Sequence, residues 1–155
     1  MRIAHKVGVF IVAIVVLVVL LLLPRHGDGH GEQARDFGDY IVHYSAITTN
    51  QLVAESAKNY GIERSDRRGL LNIAVQAKGG SEARMVGADV SAEVSDLTGH
   101  RLPIHLRETS ENGDVDYLGE FPLSGSGAYV FTVKVTPPGH TQPYLVKFNQ
   151  DYIVD

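Results

Sequence analysis

Alternating apolar and polar residues, broken at short intervals by Gly, Pro and Asn-Gly turns, predict a mainly β chain. The expected fold is an immunoglobulin-like antiparallel β-sandwich of about seven strands with one short helix. A different kind of segment precedes it. From Val7 to Leu23 the chain is apolar without a break, with Arg2, His5 and Lys6 before the run and Pro24-Arg25-His26-Gly27-Asp28-Gly29-His30-Gly31 after it.

As a helix that run would cover roughly 25 Å, enough to span a bilayer core when Lys6 and Arg25 snorkel at its ends. Nothing after it reads Ala-x-Ala, and Gly27-Asp28-Gly29 is a poor substitute for a cleavage site. The sequence therefore predicts an N-terminal transmembrane signal anchor over residues 1–24, the alternative being a cleaved signal peptide. A flexible linker follows over residues 25–35, and the sandwich domain over residues 36–155. The positive amino end places the amino terminus in the cytoplasm and the domain across the membrane, on a single-pass protein or, after cleavage, as a soluble one.

The elements follow in order. Phe37 to Ile47 is the first strand, and Leu52 to Tyr60 a short helix with Leu52, Val53, Ala57 and Tyr60 on one face. Gly61 suits the left-handed position that ends the helix, with Ile62 closing over the last turn. Leu70 to Ala77 is a second strand. Val86 to Val94 is a third, with the cleanest alternation in the chain. Asp96 to His100 turns into Leu102, Ile104 and Leu106. Asn112-Gly113 favours a tight hairpin into Val115 to Phe121. Ser124 to Gly127 is a loop, Ala128 to Val135 a strand ended by Pro137-Pro138-Gly139, and Tyr144 to Val154 the last strand. Tyr129, just past a Gly-rich corner, is placed to hydrogen-bond back to the preceding loop or to serve as an ordinary core tyrosine.

Composition removes several functions. The chain has no cysteine, so disulfides, thiol catalysis, zinc–thiolate sites and a lipid-modified cysteine are excluded. After Leu23 stand twelve Lys and Arg against eighteen Asp and Glu, a net charge of −6. Such a domain repels nucleic acid.

The strings DYIVHYSAITTNQL (Asp39 to Leu52) and AKNYGIERSDRRGLLNIAV (Ala57 to Val75), with the closing stretch from Tyr117-Leu118-Gly119 to Tyr152-Ile153-Val154-Asp155, resemble the proteobacterial DUF4426 family, a domain of unknown function. The resemblance covers nearly everything after Phe37. It implies a small exported protein with an amino-terminal hydrophobic segment, and it brings no activity or site residue. The chain departs from the family at Leu52-Val53-Ala54-Glu55, where a Thr-Pro helix cap is expected, and in lacking a clear cleavage site.

No catalytic constellation is present, so no enzyme activity and no cofactor are expected. Ser45 lies two residues from His43 with no elbow motif around it. Glu111, Asp114 and Asp116 lack the calcium-loop spacing of an EF-hand. Gly79-Gly80 and Gly125-x-Gly127 have no following helix to make a phosphate loop. Histidines (His26, His30, His43, His100, His105, His140) are the only candidate metal donors, and their scatter assigns no metal residue. The segment with the densest mixed charge is the possible interaction loop Tyr60, Arg64, Asp66, Arg67 and Arg68, with Tyr40, Tyr44 and Tyr60 as neighbouring aromatic anchors. The alternative is an internal ion-pair network that pins the helix to the sandwich. The functional expectation is a membrane-anchored periplasmic binding module whose partner is another cell-envelope protein. A periplasmic copper- or zinc-binding domain is the competing reading.

Overall fold

A computed structural model describes residues 32–80 and 83–155. The expected anchor Val7–Leu23, most of the spacer, and His26 and His30 lie outside the described residues. Among those described, no helix is long and apolar enough to cross a membrane.

Ten strands and one α-helix form in the described residues. The strands are β1 (Gln33–Asp36), β2 (Tyr40–Thr48), β3 (Arg68–Ala77), β4 (Arg84–Met85), β5 (Asp89–Ser95), β6 (Arg101–Ile104), β7 (Arg107–Glu111), β8 (Asp114–Pro122), β9 (Gly127–Thr136) and β10 (Tyr144–Tyr152). A six-stranded sheet runs β1-β2-β3-β8-β7, with β4 beside the end of β3, and a four-stranded sheet runs β10-β9-β5-β6. All pairings are antiparallel. The inner faces meet in one core, where Val42, Leu71 and Ile73 of the first sheet lie among Phe131, Val133 and Val146 of the second. Aromatic contacts stitch the layers, with Phe121 edge-on to Phe131 at 5.1 Å and Tyr44 against Phe148 at 4.6 Å.

Strand number exceeds the expected seven because three strands carry no apolar alternation. β1 is exposed at all four positions, and β4 is two residues long. β7 is wholly polar and owes its pairing to the hairpin turn, where Asn112 (φ 53°) and Gly113 (φ 87°) both adopt positive φ. β1 also begins at Gln33, within the stretch whose composition reads as linker. The strand expected through Leu102, Ile104 and Leu106 is cut in two, since the chain leaves the four-stranded sheet after Ile104 and enters the six-stranded sheet at Arg107. The strand expected from Val86 starts at Asp89. Ala88 is held instead by the Tyr117 hydroxyl, which accepts from its N–H (2.7 Å) and donates to its carbonyl (2.8 Å).

The helix α1 (Ala54–Tyr60) starts two residues later than expected and lacks a side-chain cap at Val53. It ends as expected. Gly61 (φ 65°) donates to Lys58, and Ile62 donates to Ala57 at 2.8 Å, the paired bonds of a Schellman stop. Ile62 then packs with Leu70 and Leu118, flanked by Ile47, Leu52 and Tyr60, in a second small cluster. That cluster lies on the outer face of the six-stranded sheet, away from the main core.

At the corner before β9, the Tyr129 hydroxyl accepts from the Ser124 N–H (3.0 Å) and donates to the Gly125 carbonyl (3.0 Å). Tyr129 thus closes the loop onto the core and does more than fill space.

Candidate functional site

The outer face of the six-stranded sheet gathers the domain's perturbed polar groups. Strand alternation sends Val42 and Tyr44 of β2 and Leu71, Ile73 and Val75 of β3 into the core, so His43, Ser45, Asn72, Ala74 and Gln76 face outward. Register then aligns Ala34, His43, Ala74, Asp116 and Thr109 in one row across β1, β2, β3, β8 and β7. The next row is Ser45, Asn72, Leu118 and Arg107, and the third, under α1, is Ile47, Leu70 and Glu120. A polar strip thus borders the small apolar cluster on one sheet face.

His43 anchors the strip. Its Nδ1 lies 2.7 Å from the Glu32 carboxylate and its Nε2 2.7 Å from the Gln76 side-chain oxygen. With acceptors facing both ring nitrogens, the imidazolium is the form that makes both bonds. The Glu32 bond accordingly raises the His43 pKa above its usual 6.5 against the opposing effect of burial, with Gln76 adding to the rise. Asp116 shifts upward too. Burial is the main cause, repulsion from Asp114, Glu32 and Glu111 adds to it, and His43 works against it. Among the described residues no side chain donates a hydrogen bond to the Asp116 carboxyl. Diagonal to Asp116, the buried Asn72 Oδ1 has no hydrogen-bond partner. Asn72 Oδ1 is thus a buried acceptor left unpaired, which costs about 1–3 kcal/mol. The other orphan, the Tyr152 hydroxyl, sits inside the main core against Phe121 and Tyr129.

At its α1 end the strip opens into a shallow depression of about 250 Å³ lined by Leu70, His105, Arg107, Leu118 and Glu120. Arg107 is held there by donating to the Tyr60 carbonyl.

The residues of the expected interaction loop are engaged within the domain. Arg64 donates to the Asn50 carbonyl at 2.7 Å, and Arg67 to a main-chain oxygen of Asp155 at 2.9 Å. Arg68 bridges Glu120 (3.3 Å) and Glu63 (3.8 Å). Thr49 fastens the loop from below, donating to Glu63 O and accepting from the Ser65 N–H, both at 2.8 Å. Asp66 is half-buried among them. Tyr60 packs against the small cluster, Tyr44 lies in the main core, and the Tyr40 hydroxyl donates to Pro138 O at 3.1 Å.

The histidines disperse. His100 turns on Asp96, whose carboxylate accepts its N–H, His105 lines the depression, and His140 packs between Tyr40 and Tyr144. Among the described residues no three His, Asp or Glu side chains are grouped to hold a metal ion. The strip was not foreseen. The period-two pattern around His43 would have placed His43, Ser45, Asn72 and Gln76 on one face, but Glu32 just before β1 and Asp116 in β8 reach it through strand pairings that no local pattern reveals.

Fold and surface together define a two-sheet antiparallel β-domain with one decorated outer face. The chain belongs to the family described as Domain of unknown function (DUF4426), whose model matches residues 34–155. A solved DUF4426 family protein from Pseudomonas aeruginosa is 34% identical, with 80% of this chain and 96% of that one covered and a TM-score of 0.67. FetP of uropathogenic Escherichia coli strain F11 is 13% identical over 82% of this chain and 98% of its own, with a TM-score of 0.57. A copper-bound variant of FetP is 14% identical over 79% and 95%, also at 0.57. At those identities the FetP likeness shows a shared fold. No protein in the curated set matches the chain.

Proposed function

We propose that this chain is a non-catalytic binding module of the periplasm, held at the inner membrane by Val7–Leu23, and that it recognises another cell-envelope protein through the strip on its six-stranded sheet. One observation carries the reading. The Asn72 Oδ1 is a buried acceptor without a donor beside the half-buried Asp116 carboxyl, an arrangement that a partner's amide, hydroxyl or basic side chain would complete. The depression beside them gives a partner side chain a place to seat.

The frame supporting this reading is an immunoglobulin-like sandwich. The orders β2-β3-β8-β7 and β10-β9-β5-β6 match the A-B-E-D and G-F-C-C′ sheets of that fold, and Tyr129 sits at the E–F corner where its tyrosine corner falls. FetP was made in the periplasm, which agrees with the sequence-based address.

Crosslinking of the full chain in cells, followed by mass spectrometry, tests the function. One envelope protein recovered with the native chain and lost with Asp116→Asn supports the strip. Recovery unchanged by that isosteric substitution contradicts it.

The copper-bound FetP variant favours a second reading, metal binding. Calorimetric titration of the full chain with copper and zinc decides it. Affinity tighter than about micromolar, roughly −8 kcal/mol, supports the metal role, and its absence removes it.

A further inference from the structure

Apolar side chains stand far out of the fold at one end of the sandwich. Ile153 is 83% exposed, Leu97 76% and Val53 46%. At this end Thr48 pairs with Gly69 and Gly127 with Tyr152, and Phe121 meets Tyr152 across the layers. Leu97, in the turn after β5, reaches over Gly127, where an added Cβ would lie 3.5 Å from its Cδ1. Ile153 follows Tyr152, and its neighbour Val154 is fixed to the same loop by donating to the Ser126 hydroxyl at 2.8 Å. Val53 precedes α1, soon after β2 ends. Leu145, by contrast, pairs with Lys134 near the opposite end.

The same end receives the chain. β1 runs antiparallel to β2, with Gln33 opposite Tyr44 and Asp36 opposite Ile41, so Glu32 enters β1 from the side of Thr48. Between Leu23 and Glu32 stand eight residues, a tether of at most about 29 Å. The ten residues of β3 make the sandwich about 33 Å long. With Val7–Leu23 in a bilayer, the domain is therefore held within one domain length of the surface, by the end that carries Leu97 and Ile153.

We infer that this end rests on the bilayer surface, with Leu97 and Ile153 entering the headgroup region. The inference rests on the anchor proposed above and gives it an orientation. Two such side chains would hold a free domain at a membrane only weakly, but a short tether makes the contact intramolecular and so effective. Charge at this end is mixed, with Arg64, Arg67 and Arg101 beside Glu63, Asp96 and Asp155. The apolar tips therefore carry the contact, and attraction to anionic lipid does not. The polar strip then runs along the side of the domain, open to a partner. In the competing reading these are ordinary surface hydrophobics, and the domain tumbles freely on its tether.

The chain has no cysteine, so Leu97→Cys, Ile153→Cys and Leu145→Cys each give the full chain one labelling site. All three side chains are exposed, so the variants keep the fold. Each is labelled with nitrobenzoxadiazole and reconstituted in vesicles of phosphatidylethanolamine and phosphatidylglycerol doped with a lipid bearing a shallow nitroxide. Flotation with the vesicles reports the anchor, and quenching by the nitroxide reports the orientation. The expected result is flotation of all three, with quenching severalfold stronger at 97 and 153 than at 145. Adding Leu97→Asp to the chain labelled at 153 is expected to bring its quenching down toward the level at 145. Chains that float but quench equally at all three positions overturn the orientation and leave the anchor standing. Chains that fail to float overturn both. A blue shift at 97 or 153 that comes without lipid quenching and fades on dilution overturns it in favour of contact with a second copy.

Discussion

The two sheets share one core yet have little else in common. Their inner faces are equally apolar, as the alternation of β3 and β9 shows. Their backs differ. The four-stranded sheet turns out short and charged side chains, such as Ser91, Glu93 and Lys134, of the kind expected on a solvated sheet. The six-stranded sheet carries a helix, a second apolar cluster, a doubly bonded histidine, a half-buried carboxyl and an unpartnered amide oxygen. One side holds the fold, and the other holds groups that folding alone does not require.

Substitutions can separate the two roles. Phe131 is fully buried in the shared core, so Phe131→Ala is expected to cost about 3–5 kcal/mol and to lower both sheets in a single denaturant transition. Separate transitions for the two sheets would contradict a common core. Tyr129→Phe keeps the ring and removes the hydroxyl that binds Ser124 and Gly125. A loss of about 1–3 kcal/mol in chemical denaturation is expected, with no effect on the polar strip.

His43 provides a pH signature of the decorated face. Its folded pKa is raised, so the stability it contributes is fully present below its unfolded value near 6.5 and is lost as pH rises through the higher folded value. Asp116, raised above 3.8, acts with the same sign at lower pH. Amide exchange in β1, which lies beside His43, is therefore expected to quicken, beyond its intrinsic rise, as pH rises from below 6.5 through the raised folded pKa. His43→Gln removes that extra dependence and leaves exchange in β9 unaltered. The smallest effect belongs to the loop. Arg64→Ala removes one exposed hydrogen bond to Asn50 and is expected to cost at most about 1 kcal/mol in thermal or denaturant unfolding. Loss of the fold with this variant would make the loop a structural keystone.

Legibility in the sequence followed locality. Asn112-Gly113, Gly61-Ile62 and the corner before Tyr129 are written in adjacent residues, and each does locally what its sequence suggests. β1, β4 and β7 are not, because edge strands need no apolar alternation and take their pairing from neighbours. The polar strip was hidden for the same reason. His43 meets partners 11 and 33 residues away, and the isolation of Asn72 follows from packing and not from its identity. Dense charge drew attention to Arg64, Arg67 and Arg68, whose bonds to Asn50, Asp155, Glu63 and Glu120 engage them inside the domain.

The most direct test compares the two backs in the same cells. A photo-crosslinking residue replaces Thr109, at the end of the His43–Asp116 row, in one full-length protein and Glu93, on the plain sheet, in another. Recognition through the decorated face predicts a discrete envelope-protein adduct from position 109 and none from position 93. Adducts from position 93 alone, or the same adducts from both, would contradict it.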